Sequence, residues 1–180
     1  KWIGRIAIRS SGNMYKQSLV SSLISNNGVA NTEAWAHRFV GNFARKPEGN
    51  DRAQIMAVAN GEADIAIANS YYIGLMLSGK KGDEQRAAAR KVNLHFPSQA
   101  GRGAHINVSG VGLMKNSPNK SNAVKFIEFL LSDKAQEHIV NNTYEYPLSA
   151  NVDPSDLIAQ FGTGFKEDQT SVADYGKFNP

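Results

Sequence analysis

The sequence contains no cysteine, which excludes disulfides, thiolate metal sites and cysteine nucleophiles. No apolar run approaches the roughly 18 residues of a membrane-spanning helix, so no membrane insertion is expected. Basic residues are scattered, with no stretch of five in a row, so no nucleic-acid footprint is expected either. Catalytic signatures are also missing. There is no Gly-x-Ser-x-Gly elbow and no phosphate loop ending in Gly-Lys-Ser/Thr. Ser109-Gly110-Val111-Gly112 is a weak glycine pattern, better read as a close approach of backbone. Glu62 and Asp64 share one exposed strand edge by parity, which is a poor arrangement for an acid–base pair. The chain reads as a binding module and not as an enzyme.

What is present suffices for a self-supporting core. The 180 residues are 41% hydrophobic and 20% charged. A chain of this length makes one large domain or two small ones, and buries roughly 70% of the surface it exposes when unfolded. The net charge of +4 hides an asymmetry. Lys and Arg outnumber Asp and Glu over residues 1–120, and the balance reverses over 121–180. A basic front with an acidic tail suits a small anionic ligand. Lys1 stands almost inside a strand pattern, so it reads as the start of a mature or truncated fragment, with truncation preferred.

Hydrophobic periodicity divides the chain into alternating strands and helices. Strands are expected at 4–9, 63–68, 92–96 and 105–114. Helices are expected at 14–25, from about 31 with Trp35, Phe39 and Phe43 facing inward, and from Asp51 as cap with Ile55, Val58 and Ala59 inward. Further helical patterns run to Leu77, over 84–91, 121–131 and 133–141, with a weaker one over 154–161. Leu19, Val20, Leu23 and Ile24 supply the expected apolar stripe of the first helix. This alternation predicts an α/β fold with helices flanking a sheet. Ligands of such sheets sit beyond the carboxyl ends of the strands.

Two strand ends carry unusual residues: Ser10-Ser11-Gly12-Asn13 and Asn69-Ser70-Tyr71-Tyr72. The first opens a helix whose free N–H groups favour an anion, and Arg9 adds positive charge. The second sends two phenols toward the same cleft, and Tyr15 stands in the first turn of the neighbouring helix. Each signal also has a plain structural reading. Ser10 or Ser11 can simply cap the helix, and Tyr15 can stack over Leu19. Taken together, three phenolates are hard oxygen donors suited to a hard trivalent cation such as ferric iron. His37, His95, His105 and His138 sit in unrelated elements, without the close spacing of a zinc site.

Several segments carry a more specific likeness. They are Arg9 to Tyr15, Asn42-Phe43-Ala44-Arg45, Gly61 to Tyr72, Asn107 to Gly112, Ala123 to Ser132 and Tyr144-Glu145-Tyr146-Pro147. Together they closely resemble the ferric-ion-binding proteins of bacterial ABC transporters over nearly the whole chain. The resemblance implies a periplasmic-binding-protein-like lobe, an α/β fold with a mixed sheet flanked by helices, in a two-lobed periplasmic protein that passes Fe(III) to an inner-membrane permease. It places iron ligands at Tyr15, Tyr71 and Tyr72. A synergistic anion such as carbonate or phosphate, where one is used, would lie against Ser11, Gly12 and Asn13. It further implies that a first lobe, well over a hundred residues, is missing from this chain. Residues 1–104 would then form the second lobe, and 105–180 the hinge return, helices and tail. The rival readings are a lobe of the same fold for an inorganic anion or a polyamine, and the effector domain of a transcription regulator.

Overall fold

The computed structural model describes residues 1–170 and 176–178. It opens with β1 (Ile6–Ile8), followed by α1 (Met14–Asn27), α2 (Val29–Val40) and α3 (Asp51–Ala59). The chain then returns as β2 (Ile65–Ile67) and enters α4 (Tyr71–Leu77) and α5 (Asp83–Ala89). After a long irregular stretch come α6 (Lys120–Leu130), α7 (Asp133–Thr143) and α8 (Asp156–Ala159), with a short 3-10 turn at Gly176–Phe178. β1 and β2 pair in parallel, with Ile6 opposite Ile65, Ala7 opposite Ala66 and Ile8 opposite Ile67. Parallel pairing lets the intervening helices cover the sheet, and α3 packs against both strands.

Helix boundaries follow local chemistry. Asn13 caps α1 by accepting the Tyr15 N–H, so neither Ser10 nor Ser11 is the cap. Gly28, at φ 79°, ends α1 and begins α2, a left-handed turn that a side chain would strain. Ser132 caps α7 as its hydroxyl accepts the Ala135 N–H. The cap of α3 is Asn50, which accepts the Ala53 N–H. Asp51, expected in that role, is instead fully buried one residue on. Of its expected inward residues, Ile55 is buried, while Val58 and Ala59 are only partly so.

Three further expectations are corrected. Segments 92–96 and 105–114 join no ladder, so the sheet is one parallel pair among the described residues and not a larger mixed sheet. Alternation prepares a segment for pairing, but a strand forms only where a neighbour presents its own N–H and C=O groups. Over 108–114 the chain is instead exposed, with Val111 at 59% and Met114 at 77% of full accessibility. In α1 the buried face is polar, formed by Lys16, Ser21 and Ser22, while Val20 is exposed. In α2 the stripe forms but stays half-buried: Phe39 stacks on Trp35 at 4.7 Å and meets Phe43 edge-on at 5.2 Å. The end of the expected C-terminal tail, 171–175 and 179–180, lies outside the described residues.

The main core gathers Ile55, Ile73, Met76, Ala88, Ala89, Tyr144 and Ile158. Tyr144 closes α7 in the left-handed conformation, at φ 64°, and is buried. Its ring lies 5.1 Å below the Lys80 ammonium. Gly74 lets this packing happen. A Cβ there would stand 2.6 Å from the Tyr144 Cβ and 2.9 Å from the Ile158 Cδ1. Gly74→Ala should therefore destabilise the fold by ~2 kcal/mol and lower the melting temperature by about 5 °C, which a thermal melt reads directly.

Candidate functional site

The parallel register brings the carboxyl ends of β1 and β2 level, and the three tyrosines stand just beyond them. Tyr15 is fixed by its own backbone, because its N–H is the group that Asn13 Oδ1 accepts at 3.1 Å. Tyr71 and Tyr72 open α4, their rings stacked with centroids 4.1 Å apart. The Tyr71 hydroxyl donates to the Tyr15 hydroxyl at 3.4 Å, and the two rings meet edge-on at 6.5 Å. All three side chains are partly exposed. Two phenols that sequence places 56 residues apart thus share one hydrogen bond.

The surroundings are electropositive. Tyr15 lies in the first turn of α1 and Tyr71 and Tyr72 open α4, so the positive ends of two helix dipoles lie at this cluster. Beneath it, Asp51 accepts from Arg9 Nη1 at 2.8 Å and lies 3.5 Å from Lys16 Nζ. Lys16 also donates to the Ile67 carbonyl at 2.7 Å. Burial pulls the Arg9 guanidinium down, but the hydrogen bond and charge of Asp51, and then Tyr72, outweigh it and hold the group above its ordinary value. Burial pushes the Lys16 ammonium below its usual range against the pull of Asp51. Burial, followed by hydrogen bonds with Tyr15 and Tyr72, raises the Tyr71 phenol well above its ordinary value. In the free protein this phenol keeps its proton at neutral pH.

The expected anion loop lies at the rim. Ser11 and Gly12 are exposed, the Gly12 N–H bonds the Ser10 hydroxyl at 3.2 Å, and Asn13 is engaged as the cap. Two donors nearby are buried without a partner among the described residues: Arg9 Nε and Asn69 Nδ2. The other side of Asn69 is anchored, its Oδ1 accepting from Asn107 Nδ2 at 3.0 Å. The sequence marks Asp51 only as a cap, assigns Asn69 and Asn107 no role of their own, and does not single out Lys16. A lysine directly after Tyr15, on the face turned to the sheet, was the one available signal.

The histidines stay apart. His37 faces Glu33 on the surface, His95 and His138 are exposed, and His105 meets the Ser18 hydroxyl at 3.2 Å. Burial holds His105 below its usual range. Among the described residues no three His, Asp or Glu side chains group as a metal site. Glu62 and Asp64 are engaged in surface ion pairs with Arg45 and Arg5. A cleft of about 510 Å³ lined by residues of α1 and α2, Asn26, Asn31 and Trp35 among them, shares no residue with the tyrosine cluster. Among the described residues no helix is long and apolar enough to cross a membrane.

The chain is similar to several known proteins. The chain is 53% identical over 176 residues to iron uptake protein A1 of Synechocystis sp., covering 98% of the chain and 48% of that protein. It is 31% identical over 152 residues to the major ferric iron-binding protein of Neisseria meningitidis, covering 84% of the chain and 44% of that protein. Among solved structures, the Trichodesmium protein IdiA (FutA) in complex with iron and citrate ligands superposes with a TM-score of 0.95 at 50% identity. That match covers 99% of this chain and 56% of the other. The ferric binding protein from Campylobacter jejuni follows with a TM-score of 0.91 at 38% identity, over 98% and 55% of the two chains. The present chain thus spans about half the length of the relatives it matches. The resemblance to ferric-ion-binding proteins read from the motifs agrees with these relatives. The model of the bacterial extracellular solute-binding protein family matches residues 9–137, and the chain belongs to that family.

Proposed function

We propose that this chain is a lobe of a ferric-iron-binding protein of an ABC-type uptake system, which holds Fe(III) through the phenolates of Tyr15, Tyr71 and Tyr72. The convergence of these three phenols at level strand ends is the observation that carries the reading. Phenolate oxygens match a hard trivalent cation, and metal binding supplies the free energy to remove their protons. Iron is the cargo here, and the protein acts as a carrier without chemical turnover. It works in the periplasm and hands Fe(III) to an inner-membrane permease. An anion such as citrate, carbonate or phosphate sits against Ser11, Gly12 and Asn13. The buried, unpartnered Arg9 Nε and Asn69 Nδ2 support an anionic co-ligand at this end of the sheet.

Three phenolates leave the coordination of a ferric ion incomplete, so a second lobe of the same protein supplies the remainder. Residues 1–104 form the lobe that carries the site, and 105–180 provide the hinge return, which is irregular here, with helices and tail. The exposed apolar residues Val108, Val111, Leu113 and Met114 support a covering lobe, as does coverage of only half the relatives' length.

Three outcomes test this reading. Fe(III)–phenolate charge transfer absorbs visible light, so Tyr71→Phe or Tyr72→Phe should remove most of the colour of the iron-loaded protein. Tyr144→Phe, in the core, should leave it nearly unchanged, and equal loss in all three variants would show that the site lies elsewhere. The second outcome is a pH dependence. The Tyr71 phenol is raised and therefore protonated in the free protein, so iron must displace its proton. Affinity should fall with falling pH, by about tenfold per unit from this phenol alone. Competition titrations from pH 6 to 8, corrected for protonation of the competitor, measure the slope, and a flat profile would count against phenolate ligation. Thirdly, the 180-residue chain should hold Fe(III) at least about 100-fold more weakly than the full-length protein, or ~2.7 kcal/mol, because solvent screens an open half-site. Equal retention of iron against citrate by both would overturn the shared cleft.

A further inference from the structure

The layer beneath the phenols contains one carboxylate that the ferric reading leaves without a role. Asp51 has no exposed surface, yet it meets groups from three other parts of the chain. Its Oδ2 accepts from Arg9 at the end of β1, at 2.8 Å. Its Oδ1 lies 3.5 Å from Lys16 Nζ and accepts the backbone N–H of Asn69 at 3.3 Å. Lys16 directly follows Tyr15, and Asn69 stands two residues before Tyr71. Every chain segment that delivers a phenol is therefore tied to this one side chain. Arg9 lies close enough to feel the Tyr72 oxygen as well.

The charges make the tie specific. One carboxylate faces two cations, so the buried group as a whole carries excess positive charge. A neutral side chain of the same shape would keep the volume but not hold both cations.

We propose that Asp51 is a positioning residue of the phenolate site: by gathering Arg9, Lys16 and the Asn69 N–H on one buried carboxylate, it fixes the spacing of Tyr15 from Tyr71 and Tyr72. The inference rests on the ferric reading of the site. Asp51 touches no iron; it acts through the three segments it holds.

The test uses the full-length protein loaded from ferric nitrilotriacetate, comparing wild type, Asp51→Asn and Arg9→Gln. A thermal melt without metal reports the fold, the visible band reports phenolate geometry, and stopped-flow transfer to excess citrate reports iron loss. Asp51→Asn should lose iron about tenfold faster or more and shift the visible band, a change that lower stability alone does not produce. Arg9→Gln, which keeps the Asp51–Lys16 pair, should show the same change to a smaller degree. A less stable Asp51→Asn protein with the wild-type band and wild-type iron loss would make Asp51 a folding residue only and overturn the proposal. If Asp51→Asn does not fold, Arg9→Gln decides, and wild-type behaviour in it overturns the proposal too. Absence of any band in the wild type would instead bring down the ferric reading, and this proposal with it.

Discussion

A carboxylate with no exposed surface sits at the centre of this fold. Burying a lone charge is prohibitively costly, so Asp51 requires its cations, and Arg9 and Lys16 require Asp51. Each partner comes from a different element, which makes the tie long-range in sequence: 42 residues to Arg9 and 35 to Lys16. Much of the architecture follows from this constraint. α1 must turn its polar side inward, α3 must begin beneath the sheet, and β2 must end where its Ile67 carbonyl can accept the second interaction of Lys16.

A second polar anchor repeats the pattern at the far end of α1. Asp168 is nearly fully buried, accepts from the Ser22 hydroxyl at 3.2 Å and pairs with Arg102 at 3.3 Å. Burial raises its carboxyl, but hydrogen bonds from Thr170, the charge of Arg102 and the Ser22 bond hold it below the ordinary range. α1 is thus fastened along its length by ions and hydroxyls, while the main apolar core gathers around α4, α5 and Tyr144.

This arrangement explains what the sequence made legible. Helices with local signals were readable: Ser132 before α7, the Gly28 break between α1 and α2, and the tyrosine pair opening α4 all act within a few residues. The α/β alternation and the convergence of phenols at strand ends were readable for the same reason. The inward face of α1 was not, because its partners, Asp51 and Asp168, lie 35 and 146 residues away. Apolar residues of a helix are expected inside by default, and Val20, which is exposed, departs from that expectation. Asp51 was mistaken for a cap because an acidic residue at a helix start usually is one; its burial depends on Arg9 and Lys16 arriving from elsewhere. Segments 92–96 and 105–114 have the composition of strands, but among the described residues no adjacent backbone forms a ladder with them.

The two-stranded ladder also works as a ruler. Successive residues of a strand rise about 3.3 Å, and successive side chains alternate faces. A slip of one residue between β1 and β2 would turn Ala7, which is fully buried, toward the opposite face. A slip of two would restore the faces but carry Tyr15 about 6.6 Å along the strand direction from Tyr71. Only one alignment keeps the methyl of Ala7 inside and the two hydroxyls in contact. A ladder of three residue pairs therefore sets the finest tolerance of the fold, and a chain that folded in any neighbouring alignment would retain most of its helices while losing the cluster altogether.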